Sequence, residues 1–123
     1  MLLKLDFSNS VPIYQQIRDQ IVQGIASGEL EPGERMPTVR ALSDECGVNV
    51  MTIQKAYTLL KQEGYLVTDR RSGTTVADLS GRRRIPAATK EGLKLHLSEL
   101  RTNGFSDEEI LDLVSALLKG AKQ

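Results

Sequence analysis

A single glycine separates two short stretches whose apolar residues recur at helical spacing. Val39, Leu42 and Cys46 fall on one helical face before Gly47, and Ile53, Ala56, Tyr57 and Leu60 fall on one face after it. Gly47 suits the left-handed position that ends a helix, where a Cβ is costly. Thr38 and Asn49 are the expected N-caps of the two helices, because their short polar side chains can accept from amides of the first turn. The pattern predicts helices at about 38–46 and 49–63, with Gly64 as the stop for the second. Helix, glycine turn, helix is a helix-turn-helix, whose second helix can lie in the DNA major groove. The outward face of that helix would carry Met51, Thr52, Gln54, Lys55, Thr58 and Lys61, with no acid before Glu63.

The flanking segments extend this unit. Leu3, Leu5 and Phe7 alternate, as in an extended lead-in. Ile13, Ile17, Ile21 and Ile25 recur every four residues and predict a helix over 12–27, with Ser10 as a capping candidate and Gly28 as its end. Glu31-Pro32-Gly33 is a turn signal. Tyr65 to Thr68 and Thr74 to Ala77 are β-prone around the turn Arg71-Ser72-Gly73. A hairpin at that point makes a winged helix; it either simply caps the core or also touches DNA through Arg70 and Arg71 at its tip, and the two arginines favour the second reading. Beyond it, Gly81, Arg82 to Arg84 and Pro86 read as a connector, its arginines either solvated or against phosphate.

The last third reads as a helical hairpin. Leu93, Leu97 and Leu100 share one side of a helix that Asn103-Gly104 breaks. Ser106 and Glu109 have capping-box spacing, with Phe105 and Ile110 as a hydrophobic staple. Ile110, Leu111, Leu113, Val114, Leu117 and Leu118 cover more than half of the final helix. Two helices of this length cannot bury that much aliphatic surface against each other. The excess predicts packing on the first domain or on a second subunit, and the connector favours the second subunit. The expected organisation is a winged-helix domain over 1–78, a connector over 79–90 and a dimerisation hairpin over 91–123. The fold class is mainly α with a small β-hairpin.

Composition narrows the classes. The chain has 123 residues and a formal net charge of zero, so bulk charge does not advertise a polyanionic partner. Positive charge would have to be focused on one face. Residues 1–80 carry two more acids than bases, and Glu29, Glu31 and Glu34 share one loop away from the second helix. A single cysteine forms no intrachain disulfide, and MLLKLDF is too short an apolar run for a signal peptide. A cytoplasmic protein with no membrane partner is expected. His96 stands alone as a metal-ligand type beside Glu99, Cys46 reads as core, and neither a nucleophile–base pair nor a phosphate-cradling glycine loop occurs. No enzyme, metal or cofactor is expected.

The combination of VPIYQQI, the G-E-L-x-P-G-E run at 28–34, MPTVRALSDECGVNVMTIQKAY and LKQEGYL resembles the GntR family of bacterial winged-helix transcription regulators over residues 11–78. The short two-helix tail is similar to the YtrA-like subfamily, which lacks a large effector domain. The resemblance implies that Arg40 reads a guanine in the major groove, and that Arg35 and Thr38 lie near the phosphate backbone. It implies that Asn49, Val50, Met51, Thr52 and Gln54 face DNA and that Gly73 is the wing glycine near the minor groove. Two departures stand out. Val50-Met51 replaces the Arg, or the Pro with a following polar residue, of many relatives, which favours apolar contact with thymine over hydrogen bonding. The wing, RRSGTT, lacks an additional glycine that relatives often carry.

The chemistry of these residues supports the roles independently. An Arg fork can donate two bonds to guanine, and Gln54 can pair with adenine in the same bidentate way. Lys55 and the threonine hydroxyls suit phosphate. Against these stand plainer roles: a salt bridge from Arg40 to Asp44, and simple capping for Thr52. The reading is a homodimeric, sequence-specific regulator of double-stranded DNA, with repression of an inverted-repeat operator as its mode. A winged-helix protein-interaction module is the alternative, but its reading face would carry acids or aromatics. The tail has little room for a ligand cavity within one subunit, so a small-molecule effector of unspecified identity would enter at the dimer interface or between the domains.

Overall fold

The computed structural model describes residues 3–121 and divides the chain into two compact units, residues 1–79 and 80–123. In the first unit, α1 (Ile13–Ser27), α2 (Val39–Cys46) and α3 (Val50–Gln62) precede an antiparallel hairpin of β1 (Leu66–Asp69) and β2 (Gly73–Val76). This is the winged helix that the sequence predicts. In the second unit, α4 (Ala87–Thr102) and α5 (Asp107–Ala121) form a helical pair.

The core of the first unit gathers around α3. Ile53, Ala56, Tyr57 and Leu60 are fully or almost fully buried against Ile17, Ile21, Leu42, Leu66 and Val76. A repeat of four residues drifts about 40° per step around a helix of 3.6 residues per turn. The α1 stripe therefore buries its middle members, Ile17 and Ile21, and leaves Ile13 and Ile25 at the core edge. The Tyr57 hydroxyl donates to the Pro37 carbonyl at 2.8 Å, and burial raises its pKa. Arg18 on α1 grips Glu63, just past α3, through Nε–Oε1 at 2.9 Å and Nη2–Oε2 at 2.8 Å. Those bonds to Glu63 raise the Arg18 pKa and keep it charged.

The turn between α2 and α3 follows its sequence signals. Gly47 has φ +67°, its amide donates to the Ser43 carbonyl at 2.9 Å, and Ser43 Oγ donates to the Val48 carbonyl. Thr38 accepts from the Ala41 amide and Asn49 from the Met51 amide, so both predicted caps are made.

Several local expectations are corrected. Ser10 does not cap α1; Pro12 holds that position without a side-chain bond, and Asn9 instead accepts from the Val11 amide. Phe7 does not continue the inward alternation: Asp6 accepts from the Ser8 amide and hydroxyl, turning the chain, and Phe7 stays 68% exposed. Leu3 and Leu5 do pack on the core. Two glutamines of α1 hold this lead-in extended. Gln20 accepts from the Lys4 amide and donates to its carbonyl, and Gln16 does the same for Asp6. The hairpin registers one residue from expectation on each side, because the Tyr65 amide closes the end of α3 on the Leu60 carbonyl. Residues 33–36, read as turn and linker, run antiparallel to β2: Gly33 donates to Val76, Val76 to Glu34, and Met36 to Thr74. Helix α4 begins at Ala87, inside the segment read as connector, since Pro86 can start a helix and the alanines after it favour one.

In the second unit the Ser106–Glu109 capping box forms, with reciprocal bonds of 2.9 and 3.2 Å. The bond from the Ser106 amide, with that of its side chain, holds the Glu109 carboxyl below its ordinary pKa. Among the described residues of this unit only Ile110 is a buried apolar side chain.

Tyr57→Phe removes the donor to the Pro37 carbonyl and should cost about 1–2 kcal/mol of stability. Urea unfolding should show a lower midpoint at unchanged slope.

Candidate nucleic-acid interface

The outward stripe of α3 follows from its inward one. With Ile53, Ala56, Tyr57 and Leu60 turned into the core, Met51, Gln54, Lys55 and Thr58 are left exposed on the far side. The first turn of α3 contains no acid, so the positive end of its dipole is not neutralised. Asn49 accepts from the Met51 amide at 2.7 Å and keeps its own amide hydrogens for a further acceptor. Gln54 donates to the Thr58 hydroxyl at 3.2 Å, a long bond that orients its amide along the helix. Thr52 is half-buried, and Val50 is 45% exposed.

Helix α2 sets Arg40 in its first turn, exposed. Among the described residues no ion pair joins it to Asp44, so the plainer role for this arginine has no support. Thr38 accepts the Ala41 amide at 3.0 Å, and its hydroxyl hydrogen remains to donate.

The wing brings a third group of cations. Gly73 has φ +70° and pairs with Asp69, closing the loop Arg70-Arg71-Ser72. That sign of φ favours glycine here. Asp69 accepts from the Arg71 amide at 3.0 Å, which folds the loop and leaves both arginine side chains exposed. Arg35 joins this group because its segment pairs with β2 opposite Thr75. A side chain at Gly73 would meet its guanidinium at 3.6 Å. The sequence places Arg35 near α2 by adjacency; its place beside the wing depends on a pairing between residues about forty positions apart, for which no local signal exists.

Lys55 is exposed, but its ammonium sits 4.0 Å from the centre of the Tyr14 ring on α1. At an exposed site such a contact contributes about 0.5–1 kcal/mol. That is weak enough for the lysine to exchange the ring for a phosphate. Tyr14 is a neighbour of the reading face that sequence reasoning did not single out. Its signal in the sequence is a tyrosine three residues before Ile17, beside the α1 stripe, and it packs half-buried against the core. Cys46 is half-buried, and burial raises its thiol pKa, consistent with its reading as core.

A winged helix with a polar, basic second helix and arginines at the wing is a DNA-binding transcription regulator. The chain belongs to the gntR family of bacterial regulatory proteins, whose family model matches residues 13–76. It is 32% identical to the HTH-type transcriptional regulator YhcF of Bacillus subtilis (strain 168) over 116 residues, 93% of this chain and 96% of that one. It is 30% identical to the HTH-type transcriptional repressor YtrA of the same organism over 128 residues, 99% and 98% of the two chains. Among solved structures, a transcriptional antiterminator from Listeria monocytogenes EGD-e superposes with a TM-score of 0.91 at 27% identity, covering 100% of this chain and 94% of that one. The DNA-binding domain of AraR in complex with operator ORR3 superposes with a TM-score of 0.52 at 31% identity, covering 63% of this chain and 93% of that one.

Arg40→Ala should weaken binding to a specific site by about 1–3 kcal/mol and relax the preference at one base pair. Titrations against a set of single-base operator variants check both effects. Lys55→Ala should weaken all sequences alike and lower the slope of log affinity against log salt by about one. A loss confined to particular sequences would make Lys55 a base contact instead.

Proposed function

We propose that the protein is a cytoplasmic repressor that binds an inverted-repeat operator as a homodimer, each winged helix on one half-site. The observation that carries the dimer is the apolar surface of α4 and α5. Leu93, Leu95, Leu111, Leu113, Leu117 and Leu118 are between 43% and 68% exposed, while Leu97, Leu100 and Val114 are half-buried. Burying one isoleucine contributes about 1.5–3 kcal/mol. Fixing a backbone costs about 1–2 kcal/mol per residue. Among the described residues, helices of 16 and 15 residues bury only Ile110, too little apolar burial to offset that cost without a further partner. A second copy covers the leucines by two-fold symmetry, and two-fold protein symmetry matches a palindromic site.

In this reading Arg40 and Gln54 read base edges, with Val50 and Met51 beside them. Arg35, Thr38, Asn49, Thr52, Lys55, Arg70, Arg71 and Gly73 approach the backbone and grooves. Leu93, Leu97, Leu100, Ile110, Leu113, Val114, Leu117 and Leu118 form the subunit contact. The open groove of about 760 Å³ between α4 and α5, lined by Leu93, Leu97, Ile110, Leu111 and Val114, receives the partner's helices. A small-molecule effector would act by competing for that groove. Repression follows from occupancy of a promoter, and the name of the YtrA relative supports that sign of regulation. Among the described residues no helix is long and apolar enough to cross a membrane.

The double substitution Leu117→Asp and Leu118→Asp should give a monomer by sedimentation, its winged helix folded and its tail helices reduced by circular dichroism, with affinity for an inverted repeat reduced to that of a half-site. A variant that still sediments as a dimer would remove these residues from the interface. A gel shift on the gene's own upstream region, with excess competitor DNA, separates a specific regulator from a protein-interaction module.

A further inference from the structure

Met51 is 79% exposed, more than any other large apolar side chain described. Its position on α3 explains why folding does not need it. Met51 lies two residues before Ile53, about 200° away around the helix, so it points opposite the buried stripe. It leads the outward row that continues through Gln54, Lys55 and Thr58. Val50 stands beside it, 45% exposed. The first turn of α3 thus presents an apolar tip on an otherwise polar and basic face. In a helix-turn-helix the residues at that end of the second helix reach the base edges.

We propose that Met51, flanked by Val50, is a specificity-determining residue that reads the C5-methyl group of thymine in the major groove. The inference rests on the reading of α3 as the recognition helix. The chemistry selects the occupant. Neither side chain can donate a hydrogen bond, so neither can pair with guanine or adenine. Among the four bases only thymine offers an apolar group at its major-groove edge. The polarizable, flexible thioether of methionine can seat a methyl without demanding one rotamer. The flanking Gln54 and Lys55, with the unneutralised helix end, give the tip a polyanion as its surroundings and exclude an apolar protein groove as the better partner. Because the recognised atom is a methyl on C5, 5-methylcytosine satisfies the same contact.

The full-length protein is first used to select binding sites from a pool of random duplexes. Failure to enrich any sequence overturns the recognition-helix reading itself. Each thymine of the selected site is then replaced in turn by deoxyuridine, which removes only the methyl. The expected result is one position per half-site at which affinity falls about fourfold, the equivalent of one buried methylene. In Met51→Ala, whose unfolding midpoint should be unchanged, the same replacement costs less than twofold. At that position a cytosine weakens binding, and 5-methylcytosine is about fourfold better than cytosine. If no deoxyuridine position matters in a site that is bound specifically, the methyl reading is overturned while the DNA reading stands. A loss that persists undiminished in Met51→Ala would likewise remove the role from this residue.

Discussion

Four side chains on one face of α3 hold the first unit together. Ile53, Ala56, Tyr57 and Leu60 meet α1 through Ile17 and Ile21, α2 through Leu42, and the hairpin through Leu66 and Val76. Because this stripe is pinned from three directions, the rotation of α3 about its axis is settled, and with it which residues face outward. The Tyr57 hydroxyl adds a polar tie from the same stripe to Pro37, immediately before the cap of α2. Arg40 and Met51 therefore take their relative positions from one packing arrangement rather than from contacts of their own. The exposed face can therefore vary in sequence at little cost to the fold.

What was legible in the sequence was local. The caps at Thr38 and Asn49, the left-handed Gly47 and the Ser106–Glu109 box each depend on residues within one turn of each other, and each forms. The alternation of burial along α3 was equally plain. What the sequence left hidden depends on distant partners. Residues 33–36 have no strand pattern of their own and pair only because β2 is already there. Gln16 and Gln20 look like ordinary surface residues of α1 until the lead-in lies beside them. The same distinction holds at the interface. The stripe from Met51 to Thr58 was visible from periodicity, whereas the contact of Lys55 with Tyr14 and the approach of Arg35 to Gly73 were not.

The distribution of charge shows how a chain of zero net charge can address DNA. Its cations near the reading surface come from four separate segments, at Arg35, Arg40, Lys55 and the Arg70-Arg71 loop, while Glu29 and Glu31 are held in the loop after α1. Such an arrangement limits long-range attraction to nucleic acid in general and keeps short-range contacts intact. A regulator built this way has less tendency to be held on arbitrary DNA than a strongly basic domain of the same size.

The pairing of residues 33–36 with β2 bears on the energetics of association. It gives β2 hydrogen-bonded neighbours on both of its edges, so the two-stranded hairpin is not free on its second side. Ordering a flexible segment costs about 1–2 kcal/mol per residue. Here the backbone from Gly73 to Val76 is held by partners on both sides, so that cost falls on folding and not on a later association. The base of the wing is thereby tied to the segment just before α2, so the two cannot shift independently of each other.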